Sequence, residues 1–271
     1  MNMMERLTRG TNDKPPIGVI YGRPGIGKTT LAAFSPGCVF VQTEDGLTSP
    51  LLSEVPTFGV LSTYEEVMQC FEAVAQNMGE QGWKTIVIDS IDRLSPLIAD
   101  YVCRQNKWAK LEDGAYGRGK VAFIDEWRAF MTMLLALRNE FGLAIILLGH
   151  HKAVKVTPPD ADPFTQYSLT LTDDVSRILI GDSDFVLFAT YPTHTIASDQ
   201  GFGKRAARAV TEKPVLFTSE NGARVAKNRY GMPEKIPLSW PALAMHVPCW
   251  RRQLEETAAQ PELAVEVEEV A

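Results

Sequence analysis

Apolar residues along this chain alternate between short continuous runs and longer stretches with helical spacing. The continuous runs predict buried strands at 17–21, 38–43, 58–61, 85–89, 143–148 and 184–190. The helical spacing predicts helices at 29–34, from 64 onwards, at 91–104, at 121–141 and near 173–180. Strands that alternate with helices form βαβ units, so the pattern predicts an α/β fold with a mostly parallel, twisted sheet flanked by helices.

The second predicted helix has a clear start. Thr63 is followed three residues later by Glu66, a capping-box pair in which each side chain satisfies a backbone N–H of the other residue. Val67, Phe71 and Val74 then recur at helical spacing and predict the face that packs on the core.

The polar stretches between these elements predict loops. The longest are at 105–120 and 152–170, and 191–240 is predicted to form β-hairpins and loops. We expect a short N-terminal arm at 1–16, one domain at 17–254 and an acidic flexible tail at 255–271.

A glycine-rich loop joins the first predicted strand to the first predicted helix. It matches G-x-x-x-x-G-K-[ST] at every fixed position and reads Gly22-Arg23-Pro24-Gly25-Ile26-Gly27-Lys28-Thr29. Glycines allow a tight turn whose backbone N–H groups point inward and bind phosphate oxygens. We expect these eight residues and Thr30 to bind a nucleoside triphosphate, with ATP the commoner choice. Lys28 would contact the β- and γ-phosphates, and the Thr29 hydroxyl would ligate Mg²⁺.

The strand at 85–89 ends in an acid that completes this prediction. Asp89 follows the glycine-rich loop by about sixty residues at the end of an apolar run. A carboxylate in this position holds Mg²⁺ through the loop hydroxyl or a water molecule in P-loop enzymes. Thr29 and Asp89 are therefore the predicted metal ligands.

Composition allows one large domain and leaves a nucleic-acid partner open. The chain has 271 residues, of which 45% are hydrophobic, enough for a substantial core. Six glutamates in the last seventeen residues account for the net charge of −6, so the remainder is neutral. The four cysteines, Cys38, Cys70, Cys103 and Cys249, lack metal-ligand spacing and indicate a reducing cytoplasm. We expect no signal peptide and no membrane partner, because no apolar run approaches the length of a membrane span.

These motifs resemble those of the RecA-like P-loop ATPases, and in particular a phage-encoded group that serves in single-strand annealing or recombination. The resemblance spans about 17–240 and includes the "KNRYGMP" segment. AAA+ proteins and DExx helicases place a glutamate directly after the strand-terminal aspartate, where this chain has Ser90. RecA-like recombinases instead end the strand after the first helix in a glutamate. The resemblance therefore implies that Glu44 is the general base, with Asp45 as its nearest competitor.

Two later segments extend the resemblance to further catalytic residues. RecA-like proteins carry a polar γ-phosphate sensor after the strand at 143–148, which implies this role for His150 or His151 without choosing between them. They also carry a Lys-x-Arg pair on a late strand that reaches the γ-phosphate of a neighbouring subunit. Lys227 and Arg229 match that pair.

The resemblance implies an ATP-hydrolysing protein, with Mg²⁺, that binds single-stranded DNA and acts in phage-type recombination or strand annealing in the bacterial cytoplasm. The implied partners are single-stranded DNA, further copies of the chain in a ring or filament, and a single-strand-binding protein. A DnaB-like motor and a KaiC-like nucleotide-gated switch are alternatives. A nucleotide kinase is less favoured, because we find no arginine-rich lid.

Two polar loops carry the DNA prediction. The first interleaves Trp108 and Tyr116 with basic residues, which suits a single strand because phosphates meet the charges and bases stack on the rings. These basic residues are Arg104, Lys107, Lys110, Arg118 and Lys120. Its glycines are expected to keep it mobile until something orders it, and ATP binding is expected to order both loops. The second loop, at 152–170, combines Lys152 and Lys155 with Asp160 and Asp162, so we expect a smaller contribution from it.

Overall fold

The computed structural model describes residues 13–160, 162–200 and 204–258. The strands are β1 (Ile17–Gly22), β2 (Cys38–Gln42), β3 (Thr57–Val60), β4 (Thr85–Asp89), β5 (Ala144–Val156), β6 (Phe164–Leu169), β7 (Phe185–Thr190), β8 (Thr193–Gln200), β9 (Lys204–Thr211), β10 (Val215–Phe217), β11 (Lys227–Asn228) and β12 (Lys235–Pro237). The helices are α1 (Lys28–Ala33), α2 (Tyr64–Gln81), α3 (Ile91–Asn106), α4 (Arg118–Phe141), α5 (Asp173–Asp182), α6 (Trp240–Ala244) and α7 (Pro248–Ala258).

One central sheet organises these elements. Its order is β12-β10-β7-β1-β5-β4-β2-β3, with β6 added to β5 and β11 added to β7. The strands from β7 to β3 in that order are all parallel, and the strands added later in the chain are antiparallel. The carboxyl ends of the parallel strands therefore share one edge, where β1 lies between β7 and β5. The prediction of an α/β fold with a mostly parallel sheet is confirmed.

Helices cover both faces of the sheet. Strands β1, β2 and β4 are buried along their whole length, which explains why they read as continuous apolar runs. Helices α2 to α5 pack on one face around Trp127 and Phe130, and α1, α6 and α7 pack on the other around Trp240 and Trp250. Two apolar layers thus hold the strand ends in place.

The predicted start of α2 is confirmed at atomic detail. The Glu66 N–H donates to Thr63 Oγ1 at 3.2 Å, and the Thr63 N–H donates to Glu66 Oε2 at 3.0 Å. The helix begins at Tyr64 and is followed by Gly82, whose φ of 68° ends it in the left-handed conformation.

The predicted loop at 152–170 is wrong for most of its length. Strand β5 continues to Val156 and pairs antiparallel with β6, so the segment forms a β-hairpin beyond the carboxyl edge of the parallel sheet. The buried half of β5 is a continuous apolar run, whereas its solvated half mixes polar and apolar residues and resembles a loop in sequence.

The predicted loop at 105–120 contains short helical turns. Two single turns of 3₁₀ helix, Leu111–Asp113 and Ala115–Gly117, fill the segment, and α4 begins at Arg118, earlier than predicted. A Cβ on Gly119 would lie 1.8 Å from the Leu111 carbonyl oxygen, and one on Gly114 would lie 2.3 Å from the Gly119 nitrogen. These two glycines allow the segment to pack closely against itself.

The predicted hairpins after residue 190 are present in part. Strands β8 and β9 form a separate two-stranded sheet, while β10, β11 and β12 join the central sheet. The predicted arm lies mostly outside the described residues, as does the predicted tail beyond Ala258, and the first residues of that tail continue α7. None of the helices among the described residues is long and apolar enough to cross a membrane.

Candidate nucleotide-binding and hydrolysis site

The glycine-rich loop lies between β1 and α1 at the carboxyl edge of the sheet. Gly25 and Gly27 have φ values of 73° and 105°, which L-residues with side chains rarely adopt. A Cβ on Gly22 would lie 2.2 Å from the Ala189 carbonyl oxygen, so the neighbouring strand β7 also requires glycine there. The loop conformation therefore depends on glycine at three of its positions.

The predicted loop residues take different positions around this turn. Pro24, Gly25, Gly27 and Thr30 line an open cleft of about 390 Å³ together with Lys28 and Thr29. Arg23 is exposed, whereas Ile26 is buried in the apolar layer beneath α1. The loop thus presents backbone and polar groups to the cleft and anchors itself through one apolar side chain.

Lys28 is buried inside the loop. Its Nζ donates to the Arg23 carbonyl at 3.0 Å and to the Gly22 carbonyl at 3.4 Å. Burial lowers the pKa of Lys28, while the nearby carboxylates of Asp89, Asp92 and Glu44 oppose that shift. The ammonium is thereby held where a phosphate group bound in the loop would meet it.

The two predicted metal ligands contact each other. Thr29 Oγ1 donates to Asp89 Oδ2 at 2.7 Å, and burial raises the pKa of Asp89. The backbone of Gly46 passes beside this pair, because a Cβ there would lie 3.0 Å from Asp89 Oδ2 and 3.8 Å from Thr29 Oγ1. A hydroxyl, a carboxylate and the open space at a glycine suit Mg²⁺, which prefers oxygen ligands and retains several waters.

Glu44 projects into the same cleft from the end of β2. Its Oε1 lies 3.4 Å from His150 Nε2, and its Oε2 lies 3.8 Å from Arg93 Nε. The contact with His150 holds the pKa of Glu44 below its ordinary value, and Glu44 in turn raises the pKa of His150. Glu44 is therefore a carboxylate at neutral pH, whereas its neighbour Asp45 is exposed.

The structure separates the two histidines that the sequence left undecided. His150 lines the cleft, whereas the ring of His151 packs against Tyr167 and Phe188 at centroid distances of 5.3 and 5.7 Å. Successive side chains of a strand point to opposite faces, so only one of two neighbouring residues can face the nucleotide. His150 is the one that faces the cleft.

Other residues in the cleft were not singled out by the sequence. Gly46, Thr48, Ser49 and Leu52 line it from the segment after Glu44, and Arg93 approaches Glu44 from α3. They belong to no fixed-spacing motif, and closeness in sequence to Glu44 and Asp89 is the one signal that could have indicated them.

Lys227 and Arg229 lie at the other edge of the sheet. Strand β11 pairs with the first residues of β7, whereas the glycine-rich loop adjoins its last residues. Lys227 Nζ donates to the carbonyls of Ile180 and Gly181 at 2.6 and 2.7 Å, and Arg229 Nη1 lies 3.1 Å from Asp184 Oδ1. The structure does not bring this pair to the cleft of its own chain.

The first segment predicted to bind DNA has a different arrangement from the one expected. Trp108 packs partly buried against the core, whereas Tyr116 is fully exposed with a φ of 55°. Arg104 and Lys120 are engaged in ion pairs with Glu65 and Asp174 at 2.6 and 2.7 Å. The remaining basic residues, Lys107, Lys110 and Arg118, lie on either side of Tyr116 in sequence.

The chain is similar to known proteins in sequence and in fold. Residues 14–230 match a protein family described as AAA domain (AAA_24). A crystal structure of the RadB recombinase is similar at 15% sequence identity and a TM-score of 0.45, over 84% of this chain and 90% of that chain. No curated protein sequence matches the chain. Because the family match covers most of the chain, including the glycine-rich loop, Glu44, Asp89 and His150, the protein belongs to this AAA domain family.

Proposed function

We propose that this protein binds and hydrolyses ATP with Mg²⁺, and that single-stranded DNA stimulates the reaction during recombination or strand annealing. One observation carries the proposal. Four parallel strands, or the segments that directly follow them, contribute side chains to one cleft. These side chains are Lys28, Thr29, Glu44, Asp89 and His150. A nucleophile activator, a cation, a sensor and a metal-binding pair together are what phosphoryl transfer to water requires.

The residues divide the chemistry between them. The β- and γ-phosphates would replace the Gly22 and Arg23 carbonyls as acceptors for Lys28. Thr29 and Asp89 would hold Mg²⁺, which neutralises charge on the phosphate oxygens. Glu44 orients the attacking water and accepts its proton, and His150 lies beside Glu44 where it can contact the γ-phosphate.

Single-stranded DNA is the proposed stimulating partner. Tyr116 offers a fully exposed ring in a backbone conformation that residues other than glycine seldom adopt, a type of strain that clusters at functional sites. Lys107, Lys110 and Arg118 supply charges nearby in sequence for the phosphates. The ion pairs of Arg104 and Lys120 make these two residues weaker contributors.

We propose further that copies of the chain assemble into a ring or filament in which Lys227 and Arg229 act on the neighbouring nucleotide. Such a role requires these side chains to leave their contacts with α5 and Asp184. The phage origin and the cytoplasmic setting belong to the same proposal, and the four free cysteines are compatible with a reducing compartment.

A matched pair of variants tests the hydrolysis proposal. Glu44→Gln should retain nucleotide binding and lose about 10²-fold or more in ATP turnover, the usual effect of removing a general base. Asp45→Asn removes the same charge from the neighbouring residue, which is exposed. This variant should turn over ATP normally. Loss of turnover in Asp45→Asn alone would assign the role of general base to Asp45 instead of Glu44. Full turnover in both variants would reject the mechanism.

The role of DNA is tested by measuring ATP turnover with and without a single-stranded oligonucleotide. Stimulation together with annealing of complementary strands supports the proposal. Unwinding of a duplex would favour the DnaB-like motor, and slow turnover indifferent to DNA would favour the KaiC-like switch.

A further inference from the structure

The strand that carries His150 runs past one of its two neighbours. On the β1 side the parallel ladder extends to His150, which is opposite Gly22. On the β4 side the ladder ends two residues earlier, where Leu148 is opposite Asp89. A different group therefore has to satisfy the backbone N–H of His150 on that side.

That group is a side chain from the start of α3. The His150 N–H donates to Asp92 Oδ2 at 2.6 Å, so a carboxylate takes the place of the missing strand. Hydrogen bonds from a backbone N–H to a charged acceptor are among the stronger ones in proteins. Asp92 thus holds β5 at the point where the strand passes the cleft.

The local sequence is adapted to this contact. Ile91 is fully buried and fixes the first turn of α3. A Cβ on Gly149 would lie 3.1 Å from Ile91 and 3.3 Å from Asp92 Oδ2, tighter than side chains ordinarily pack. Glycine at 149 therefore lets β5 approach α3 closely enough for the hydrogen bond.

The burial of Asp92 lowers the stability of the folded chain more than a residue with a purely structural role would require. Asp92 Oδ1 is buried and has no hydrogen-bond partner among the described residues, and burial raises the pKa of Asp92. A buried polar atom without a partner destabilises the folded state. A neutral acceptor would satisfy the His150 N–H with less desolvation, so the carboxylate points to a role in function.

We infer that Asp92 is a positioning residue, which holds the backbone of His150 so that its imidazole faces Glu44 and the γ-phosphate. The inference rests on the roles proposed above for His150 and Glu44. Asp92 itself contacts no nucleotide in this scheme. It should therefore govern the rate of hydrolysis and leave the affinity for nucleotide unchanged.

A double-mutant cycle with His150 tests this inference. In Asp92→Ala we expect kcat for ATP hydrolysis to fall by about tenfold to a hundredfold, as when a catalytic group moves by about 1 Å. KM and the affinity for a fluorescent ADP should stay within about twofold of wild type, since uniform binding is untouched. In the His150→Ala background the same substitution should cause no further loss. Asp92→Asn keeps an oxygen acceptor and should restore most of the turnover.

A second measurement does not depend on catalysis. The His150 amide should exchange with solvent faster in Asp92→Ala than in wild type, while the amides of the buried half of β5 at 145–148 keep their protection. If Asp92→Ala does not fold, Gly149→Ala makes the same test from the other side, because its methyl group would displace the carboxylate.

The outcomes separate this inference from the proposed function. The positioning role is overturned if the losses of kcat in Asp92→Ala and His150→Ala add in full in the double variant. It is also overturned if the His150 amide keeps its protection in Asp92→Ala. In both cases the proposal of ATP hydrolysis stands. Wild-type protein without ATPase activity overturns the proposed function, and the exchange measurement still decides whether Asp92 holds His150.

Discussion

Single atoms decide much of the chemistry at this site. The glycine-rich loop accepts no side chain at Gly22, because a Cβ there would lie 2.2 Å from the carbonyl oxygen of Ala189. A Cβ on Gly46 would lie 3.0 Å from Asp89 Oδ2, a tight contact beside the pair proposed to hold Mg²⁺. The roles of these glycines lie in the space they leave for a neighbouring strand or for an ion.

Gly46→Ala should weaken the dependence of nucleotide binding on Mg²⁺. The added methyl group would lie 3.0 Å from Asp89 Oδ2, within the space that a hydrated ion needs. We expect ADP affinity in EDTA to stay within about twofold of wild type, and the gain in affinity on adding Mg²⁺ to fall by about tenfold, or about 1.4 kcal/mol.

The control for this titration is Gly79→Ala in α2, where an added Cβ would have no atom within 4 Å. This variant should bind ADP as wild type does with and without Mg²⁺. An unchanged Mg²⁺ effect in Gly46→Ala would show that the ion lies elsewhere.

At the scale of elements, the late strand β11 closes the amino-terminal edge of the sheet. Asp184, just before β7, accepts from the backbone of Ile17 at 3.0 Å and pairs with both Arg138 and Arg229 at 3.2 and 3.1 Å. Lys227 binds the last carbonyls of α5, the carbonyl groups that a helix end leaves unpaired. The two residues predicted to act in trans therefore already stabilise their own chain.

Arg229→Ala should lower the stability of the folded chain modestly. Arg229 is about half exposed and Asp184 retains Arg138, so we expect a loss of about 0.5–1 kcal/mol, seen as a fall of a few degrees in the melting temperature. Arg251→Ala, which removes an exposed arginine from α7, is the control and should melt as wild type does.

The same variant tests the proposed action between subunits. Mixing Arg229→Ala with Lys28→Ala should restore part of the ATPase activity, because some interfaces then combine an intact loop with an intact arginine. A mixture as inactive as its components, or a monomeric protein with full activity, would leave Arg229 a purely structural role.

At the scale of the whole molecule, the two edges of the parallel sheet differ: the carboxyl edge holds the candidate site, and the amino-terminal edge holds Lys227 and Arg229. The glycine-rich loop, Glu44, Asp89 and His150 lie at the carboxyl edge. The β5–β6 hairpin extends from the same edge. Ligands of open α/β sheets bind at this edge because loops there project from several strands at once. The proposed DNA partner must couple to the cleft through elements that start there, such as α3 and β5.

Tyr116→Ala should weaken binding of a single-stranded oligonucleotide by about 1–3 kcal/mol, the loss expected when a stacked base loses its aromatic partner. Its ring is fully exposed, so the fold should be unaffected. Binding is measured by fluorescence anisotropy in the presence of ATP at a stated salt concentration.

Two comparisons control this measurement. Phe141→Ala removes an exposed aromatic at the far end of α4 and should bind DNA as wild type does. Trp108→Ala should mainly reduce stability, because that ring packs on the core. Equal affinities for wild type and Tyr116→Ala would place the DNA site elsewhere.

The sequence by itself determined the parts of this protein that depend on neighbouring residues. The phosphate loop, the capped start of α2 and the strand ending in Asp89 were recognisable because turn geometry, capping and continuous burial leave local patterns. The α/β class followed from the order of these elements, since βαβ units form parallel sheets.

Only the tertiary structure decided the contacts between distant segments. The choice of His150 over His151 depended on which face of β5 meets the cleft. The contact of Asp92 with His150 depended on where the pairing between β4 and β5 stops. The positions of Gly46 and Arg229 likewise depend on residues far away in the chain. Such contacts leave no periodicity or spacing in the sequence, because they arise when separate elements pack together.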